Sequence, residues 1–263
     1  MSQSATANGP ARPSLAARIG RTLLNFWGIA LILVLWEALV VLNDFNVIVM
    51  PRPWAVFADI WANPGLYLQN FMQTAWVAMG GLVLGMIAGT TIAVLAWSSR
   101  ILNGLLTPIG LIFSSIPVVA MIPVLARMLG YGTETVLAIV AILSFFPFFV
   151  FTGSGLKLLP AGSADLFSVF GAKKHQRLFH LALPSALPNW TVALRLASAN
   201  AILGAMVAEF LMGTSGLGQM LHAASQAFNT ERALGASVCA TIGSVTLFVL
   251  VVSLEARVRE RWT

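Results

Sequence analysis

Charge is the scarcest property of this chain. Only 9% of its 263 residues are Asp, Glu, Lys or Arg, against 58% hydrophobic, where a soluble domain carries about a quarter charged residues. That scarcity excludes a soluble globule, whose interior would be too small to hide so much apolar surface. The solvent must be lipid. Cysteine is nearly absent: Cys239 stands alone in an apolar stretch. This excludes a disulfide within the chain and reads as a small buried residue, not a ligand or nucleophile. A phosphate-binding loop is missing too. The lysines follow Leu156, Ala172 and Lys173, never the glycine such a loop needs, so the chain cannot hydrolyse ATP by that route. His175 and His180 are five apart with no carboxylate or thiol beside them, and His222 is distant. No metal site is built from these. No nucleophile is paired with a base and an orienting acid, so no catalytic residue is assigned.

What the chain has is apolar length. A spanning helix needs about 20 apolar residues, and the runs predict an all-α membrane protein with six spans. These lie near 23–42, 73–97, 103–128, 134–156, 189–212 and 234–254. The stretch 61–99 has no charge, but Asn63-Pro64-Gly65 and Gln69-Asn70 interrupt it, which places 61–72 in an external loop. Residues 1–21 read as a disordered tail. The run 22–42 is too long for a signal-peptide core, and Asn43-Asp44-Phe45-Asn46 is no cleavage site, so it is a retained first span. The spanning domain is then 22–256, with a cytoplasmic loop at 157–188 and a basic end at 257–263.

The net charge of +6 would suggest nucleic acid in a soluble protein. Here the basic residues sit between apolar runs, so they read as topology signals and headgroup contacts, and no nucleic-acid partner is expected. With both termini cytoplasmic, Arg12, Arg18, Arg21, Arg100, Lys157, Lys173, Lys174, Arg177, Arg257, Arg259 and Arg261 lie inside. Only Arg52, Arg127 and Arg232 lie outside. Eleven against three is a clear positive-inside bias.

The loops carry the sharper signals. Pro51-Arg52-Pro53 opens an amphipathic stretch, 54–61, that reads as a short external helix. In the loop 157–188, Ser163 is placed to cap a helix whose first turn holds Asp165. Leu166, Phe167, Val169 and Phe170 follow, and Gly171 is placed to end the helix in a left-handed conformation. A second helix runs over 173–181, stopped by Leu183-Pro184 and Leu187-Pro188. The elbow offers apolar residues either to a protein partner or to the bilayer surface. From the residues alone both readings stand.

At this loop the sequence resembles the permeases of bacterial ATP-binding-cassette importers, in the nitrate/sulfonate/taurine branch. Their loop signature is Glu-Ala-Ala, three residues, Gly, nine residues, then Ile-x-Leu-Pro. Here Asp165-Leu166-Phe167, Gly171, Leu181 and Leu183-Pro184 keep that spacing, while the first triplet keeps only its acid. Met50-Pro51-Arg52-Pro53-Trp54-Ala55-Val56 is similar to the branch's external Leu-Pro-Ser-Pro-Ser-Ala-Val. Ile116-Pro117-Val118 through Ile122-Pro123 is similar to its third span, and Ala208-Glu209 with Ser215-Gly216-Leu217-Gly218 to its Ala-Glu and Ser-Gly-Leu-Gly stretch. The motifs run in order over about residues 25–260. The resemblance implies a MetI-like type I importer fold, with Ser163, Asp165, Leu166, Phe167, Gly171, Leu181, Leu183 and Pro184 coupling the permease to an ATPase. It also implies two cytoplasmic ATPase subunits carrying ATP and Mg, a periplasmic or lipid-anchored solute-binding protein, and a homodimer. The solute would be nitrate, a sulfonate, taurine or a related small organic molecule.

Within the membrane, Pro117 and Pro123 with Ser114 and Ser115 are read as lining the pathway near a gate, and Pro108 and Pro147 as passive kinks. Gly216 is assigned to the same route at the external side. Glu37 reads as a structural hydrogen-bonding group. Arg195 snorkels toward the cytoplasm and Glu209 reaches the outer interface, with substrate contact as the second reading for both. An ion-coupled secondary transporter is the alternative, and an intramembrane enzyme a third. The first needs membrane carboxylates and repeated halves, the other a cluster of His, Asp or Glu at one depth.

Overall fold

The computed structural model describes residues 15–262, and these form helices and connecting turns with no strand. In chain order they are α1 (Leu15–Leu42), α2 (Pro53–Ala62), α3 (Pro64–Ser98), α4 (Arg100–Ser114), α5 (Val118–Leu129) and α6 (Thr133–Gly155). Then follow α7 (Ser163–Val169), α8 (Lys174–Arg177), a π-helical turn at Leu178–Ala182, α9 (Leu183–Met212), α10 (Leu217–Gln226) and α11 (Thr230–Trp262).

Four helices among the described residues are long and apolar enough to cross a membrane: α3, α6, the run Lys174–Met212, and Thr230–Arg257 within α11. α1 and the pair α4–α5 supply the remaining two of the six expected crossings. α4 begins where α3 ends and α5 finishes where α6 begins, so the pair spans the bundle between them.

Three expectations change. Residues 64–72, placed in a loop, are the first turns of α3. Pro64 sits in the first helical turn, where a missing N–H costs nothing, so the proline that ends α2 also starts α3. The third span, expected as one helix over 103–128, is two helices separated by Ser115–Pro117. Finally, α1 starts at Leu15, within the stretch expected as a disordered tail, and α11 carries the basic C-terminal residues as helix to Trp262. Residues 1–14 lie outside the described residues.

Lipid tails are as apolar as leucine, so close packing must supply the attraction between helices. α3 and α6 form the most extensive helix pair. Gly81, Gly85 and Gly89 recur every four residues along α3 and face α6. A Cβ at Gly81 would lie 2.6 Å from Val140 Cβ, and one at Gly85 2.6 Å from Ser144 Cβ. α9 presents a second small-residue ridge, the buried Ala193, Ala197, Ala201 and Ala205. The core lies where α3, α6, α9 and α11 meet, around Leu82, Ile139, Phe148 and Ala201.

α2 is pinned to this bundle by polar contacts. Asp59 accepts hydrogen bonds from Arg232 Nη2 of α11 (3.0 Å), the Tyr67 hydroxyl of α3 (2.6 Å) and Asn63 Nδ2 (3.1 Å). Burial pushes the Asp59 carboxyl up, but these donors and the positive charge of Arg232 outweigh it and hold it below the usual carboxylate range. The clamp therefore contributes fully above the unfolded carboxylate value of about 4. Its contribution is lost as pH falls through the lower folded value. Asp59→Asn should lower the melting temperature at pH 7, and the gap to wild type should close as the pH falls below that range. Melting curves of the purified protein across pH check this; a gap independent of pH would remove Asp59 from the clamp.

Candidate coupling elbow, helix break and buried lock

α7 is seven residues long and ends in a tight Schellman geometry. Gly171 takes φ +65°, its N–H bonds the Ser168 carbonyl (3.0 Å), and the Ala172 N–H bonds the Phe167 carbonyl (3.0 Å). The expected role of Gly171 is therefore seen in the backbone. Ser163 is not the cap: Gly162 holds that position, and the Ser163 hydroxyl donates to the Pro160 carbonyl at 2.6 Å. Leu166, Val169 and Phe170 are left exposed, Val169 at 84% and Phe170 at 78%. Asp165 is exposed beside them and Phe167 is half-buried.

The second half of the elbow differs from expectation in a way that affects mechanics. Leu183-Pro184 and Leu187-Pro188 do not stop a helix. From Lys174 to Met212 the chain is helical throughout. Pro184 lacks an N–H and its ring would press on the carbonyl four residues back. The π turn immediately before it loosens the ladder: the Leu183 N–H reaches Leu178 O, five residues back. Leu181 and Ala182 are buried, and Leu156, Ala182 and Ala186 form a small core that Leu178 and Leu183 pack against. Lys174 Nζ donates to the Ser98 carbonyl at the end of α3. The elbow is thus rooted in α3, α6 and α9, while its tip presents Leu166, Val169 and Phe170. His175 and His180 are exposed, and His180 Nδ1 lies 3.1 Å from Gln176 O.

Of the residues assigned to the pathway, Ser115 and Pro117 lie at the α4–α5 break, and both are exposed. Ser114 ends α4, and its side chain lies outside the described residues. Pro123 is an exposed residue inside α5, which it does not interrupt. Pro108 and Pro147 lie inside α4 and α6.

Arg195, Glu209 and Gly216 are held elsewhere. Arg195 Nη1 pairs with Glu255 Oε2 of α11 at 3.2 Å. Glu255 lay just past the expected end of the sixth span, so the pair was missed. Glu209 does not reach the interface: it is 2% exposed. Its Oε2 accepts from the Thr74 hydroxyl of α3 (2.7 Å) and from the Gly218 N–H (3.0 Å), while Thr74 Oγ1 accepts from the Leu217 N–H (2.8 Å). Leu217 and Gly218 open α10, whose first N–H groups have no partner within their own helix. Glu209 and Thr74 are the cap of α10, supplied by two other helices. Gly216 takes φ +95°, and a Cβ there would lie 2.6 Å from Glu209 Oε2 and Thr74 Oγ1. The Gly216-Leu217-Gly218 sequence is what lets this lock close. Glu37, read as a structural hydrogen-bonding group, stands instead 3.8 Å from Arg52 in a partly exposed ion pair, longer than a hydrogen bond. His222 meets Gln226 Nε2 at 2.7 Å and the edge of Phe210. Among the described residues no group of three or more His, Cys, Asp or Glu comes together.

The geometry has known counterparts. Residues 81–263 match the family described as binding-protein-dependent transport system inner membrane component. The riboflavin transport system permease protein of Chloroflexus aurantiacus is 30% identical over 88% of this chain and 87% of its own length. The formylaminopyrimidine transport permease protein of Halalkalibacterium halodurans is 32% identical over 64% of this chain and 68% of its own. The inward-facing MetNI methionine ABC transporter superposes with a TM-score of 0.63 at 20% identity, covering 76% of this chain and 99% of the solved one. The chain therefore belongs to the binding-protein-dependent transport system inner membrane component family: it is the non-enzymatic, multi-pass permease subunit of an ATP-binding-cassette importer.

Proposed function

We propose that the tip of the elbow, Leu166, Val169 and Phe170, is gripped by a separate cytoplasmic ATPase subunit, which hydrolyses ATP with Mg. In this reading the elbow faces the cytoplasm with both termini, as the positive-inside bias favours. Two copies of the chain make the route, two ATPases drive it, and a binding protein delivers solute to the opposite end, around α2 and residues 213–229. The observation that carries this is mechanical. An exposed apolar tip is joined to one uninterrupted helix, Lys174–Met212, that runs the depth of the bundle. A push on the tip moves that helix as a rigid body. The exposed break between α4 and α5 at Ser115–Pro117 supports a gate there, because a helix interrupted at membrane depth is tolerated only against protein or water. The relatives that carry riboflavin and formylaminopyrimidine support a small heterocyclic solute, ahead of nitrate, sulfonate or taurine.

Gly171→Val tests the coupling. A β-branched residue is strained by roughly 1–2 kcal/mol in the left-handed conformation, but nothing lies within 4 Å of the added Cβ. The bundle should fold, and the tip should be displaced. In proteoliposomes holding permease, ATPase and binding protein, solute uptake per ATP hydrolysed should fall at least several-fold with permease yield unchanged. Unchanged coupling sinks the elbow assignment. Val169→Cys in a Cys239→Ala background should label from the cytoplasmic side and be shielded by the ATPase; labelling from outside overturns the topology.

A further inference from the structure

α2 turns one side to the bundle and leaves the other bare. Val56 is buried, Ile60 packs on the core, and Asp59 is clamped to Arg232. Trp54, Phe57 and Trp61 follow one another at three and four residues, so they share a face. All three are exposed, Trp54 at 63% and Trp61 at 88%. The loop leading into the helix is bare in the same way, with Phe45, Val47, Ile48 and Val49 exposed. From Phe45 to Ala62 the charges are Arg52 and Asp59, and each stands in an ion pair, with Glu37 and with Arg232.

The helix also starts deeper than its place in the chain suggests. α1 ends at Leu42. Yet the Trp36 indole N–H donates to the Pro51 carbonyl at 3.1 Å, and Arg52 pairs with Glu37. Those partners lie five and six residues back along α1, about 8–9 Å from its end. The chain turns at Asp44 (φ 48°) and dips back beside α1 before α2 begins. α1 is one of the crossings, and its Leu35 and Leu39 are exposed at the same level. The bare face of α2 therefore opens at the depth where a spanning helix meets lipid.

We propose that α2 is an interfacial anchor, with Trp54, Phe57 and Trp61 seated in the headgroup–acyl boundary of the bilayer leaflet opposite the elbow. An indole has an apolar body and one N–H donor, which suits that boundary. A docking protein fits less well. Between visits it would leave this aromatic patch in water, and it would find no unpaired charge here to recognise. Through Asp59 the anchor holds the adjoining ends of α3 and α11 at the level of the membrane surface. The placement stands whichever partner drives transport, and it leaves residues 213–229 as the surface open to a solute-binding protein.

Nitroxide labels on Trp54→Cys and Phe57→Cys, each in a Cys239→Ala background, test this with the full chain in phosphatidylcholine nanodiscs. Power saturation compares collisions with oxygen, which partitions into lipid, and with a nickel chelate, which stays in water. Ser225→Cys on α10, exposed as well, is the reference for a water-facing site. At both α2 positions oxygen collisions should exceed chelate collisions several-fold, and at Ser225 the order should reverse. Chelate access at α2 equal to that at Ser225 overturns the proposal, as a face kept for a protein arriving from solution would be wet. Loss of both kinds of collision at α2 overturns it too, because the face would then be covered by a second copy of the chain.

Discussion

Gly85→Ile should leave almost no folded permease in detergent. The change adds a branched side chain where α3 touches α6. Its Cβ would fall within 2.6 Å of Ser144 Cβ and press on the Ala141 carbonyl. Both neighbours belong to the facing helix, and one is backbone, so neither can swing aside. Overpacking a well-filled core costs about 1–3 kcal/mol and more where backbone must move. Here the helices must separate, and the same shift loosens the contacts of Gly81 and Gly89 one turn away on each side. That is a large share of the roughly 5–15 kcal/mol that holds a folded domain together. Gly153→Ala is the control. It lies in α6 itself, but nothing stands within 4 Å of its added Cβ, and exchanging helical glycine for alanine gains up to about 1 kcal/mol. Monodisperse yield on size exclusion should collapse for the first and hold for the second. A well-folded Gly85→Ile protein would show that the glycine ladder is not what joins α3 to α6.

The elbow was legible in the chain because its signals are local. An acid in a first helical turn, an apolar run and a glycine that must go left-handed all fall within nine residues. The resemblance fixed the spacing to Leu183-Pro184. What the prolines do there was not legible. Pro184 can stop a helix or be absorbed, and the choice rests on whether the ladder upstream can slip to five-residue bonds, as it does at Leu178–Ala182. Asn63-Pro64-Gly65 misled in the same way, since proline suits a first turn as well as a break. The ladder Gly81, Gly85, Gly89 was in plain view at a spacing of four. It stayed hidden because an apolar run long enough to span was read for length and not for its small-residue face. Glu209 was singled out correctly as a costly membrane acid. Its partner Thr74 stands 135 residues away, and no local pattern announces such a contact.

Glu209→Leu should destabilise the permease by about 2–5 kcal/mol, while Glu209→Gln should be close to wild type. Leucine fills much of the space but accepts nothing. It orphans the Gly218 N–H and the Thr74 hydroxyl, both buried, at about 1–3 kcal/mol each. Glutamine keeps one carbonyl oxygen where both donors already converge on Oε2. Thr74→Val should act through the same lock by stripping the Leu217 N–H of its acceptor. The double variant with Glu209→Leu should therefore cost less than the sum of the two, as expected for residues in one network. Thermal melts of the four proteins measure this. Uptake separates the lock from a substrate contact: a residue that binds solute through its charge would lose transport in Glu209→Gln with the fold intact. The lock predicts that Glu209→Gln transports and that Glu209→Leu fails by losing α10. Because Glu209 lies near the end of the helix that starts at the elbow, α10 is tied to that same helix, and losing the lock should free from α3 the end of the helix far from the elbow while leaving the Gly171 turn unchanged.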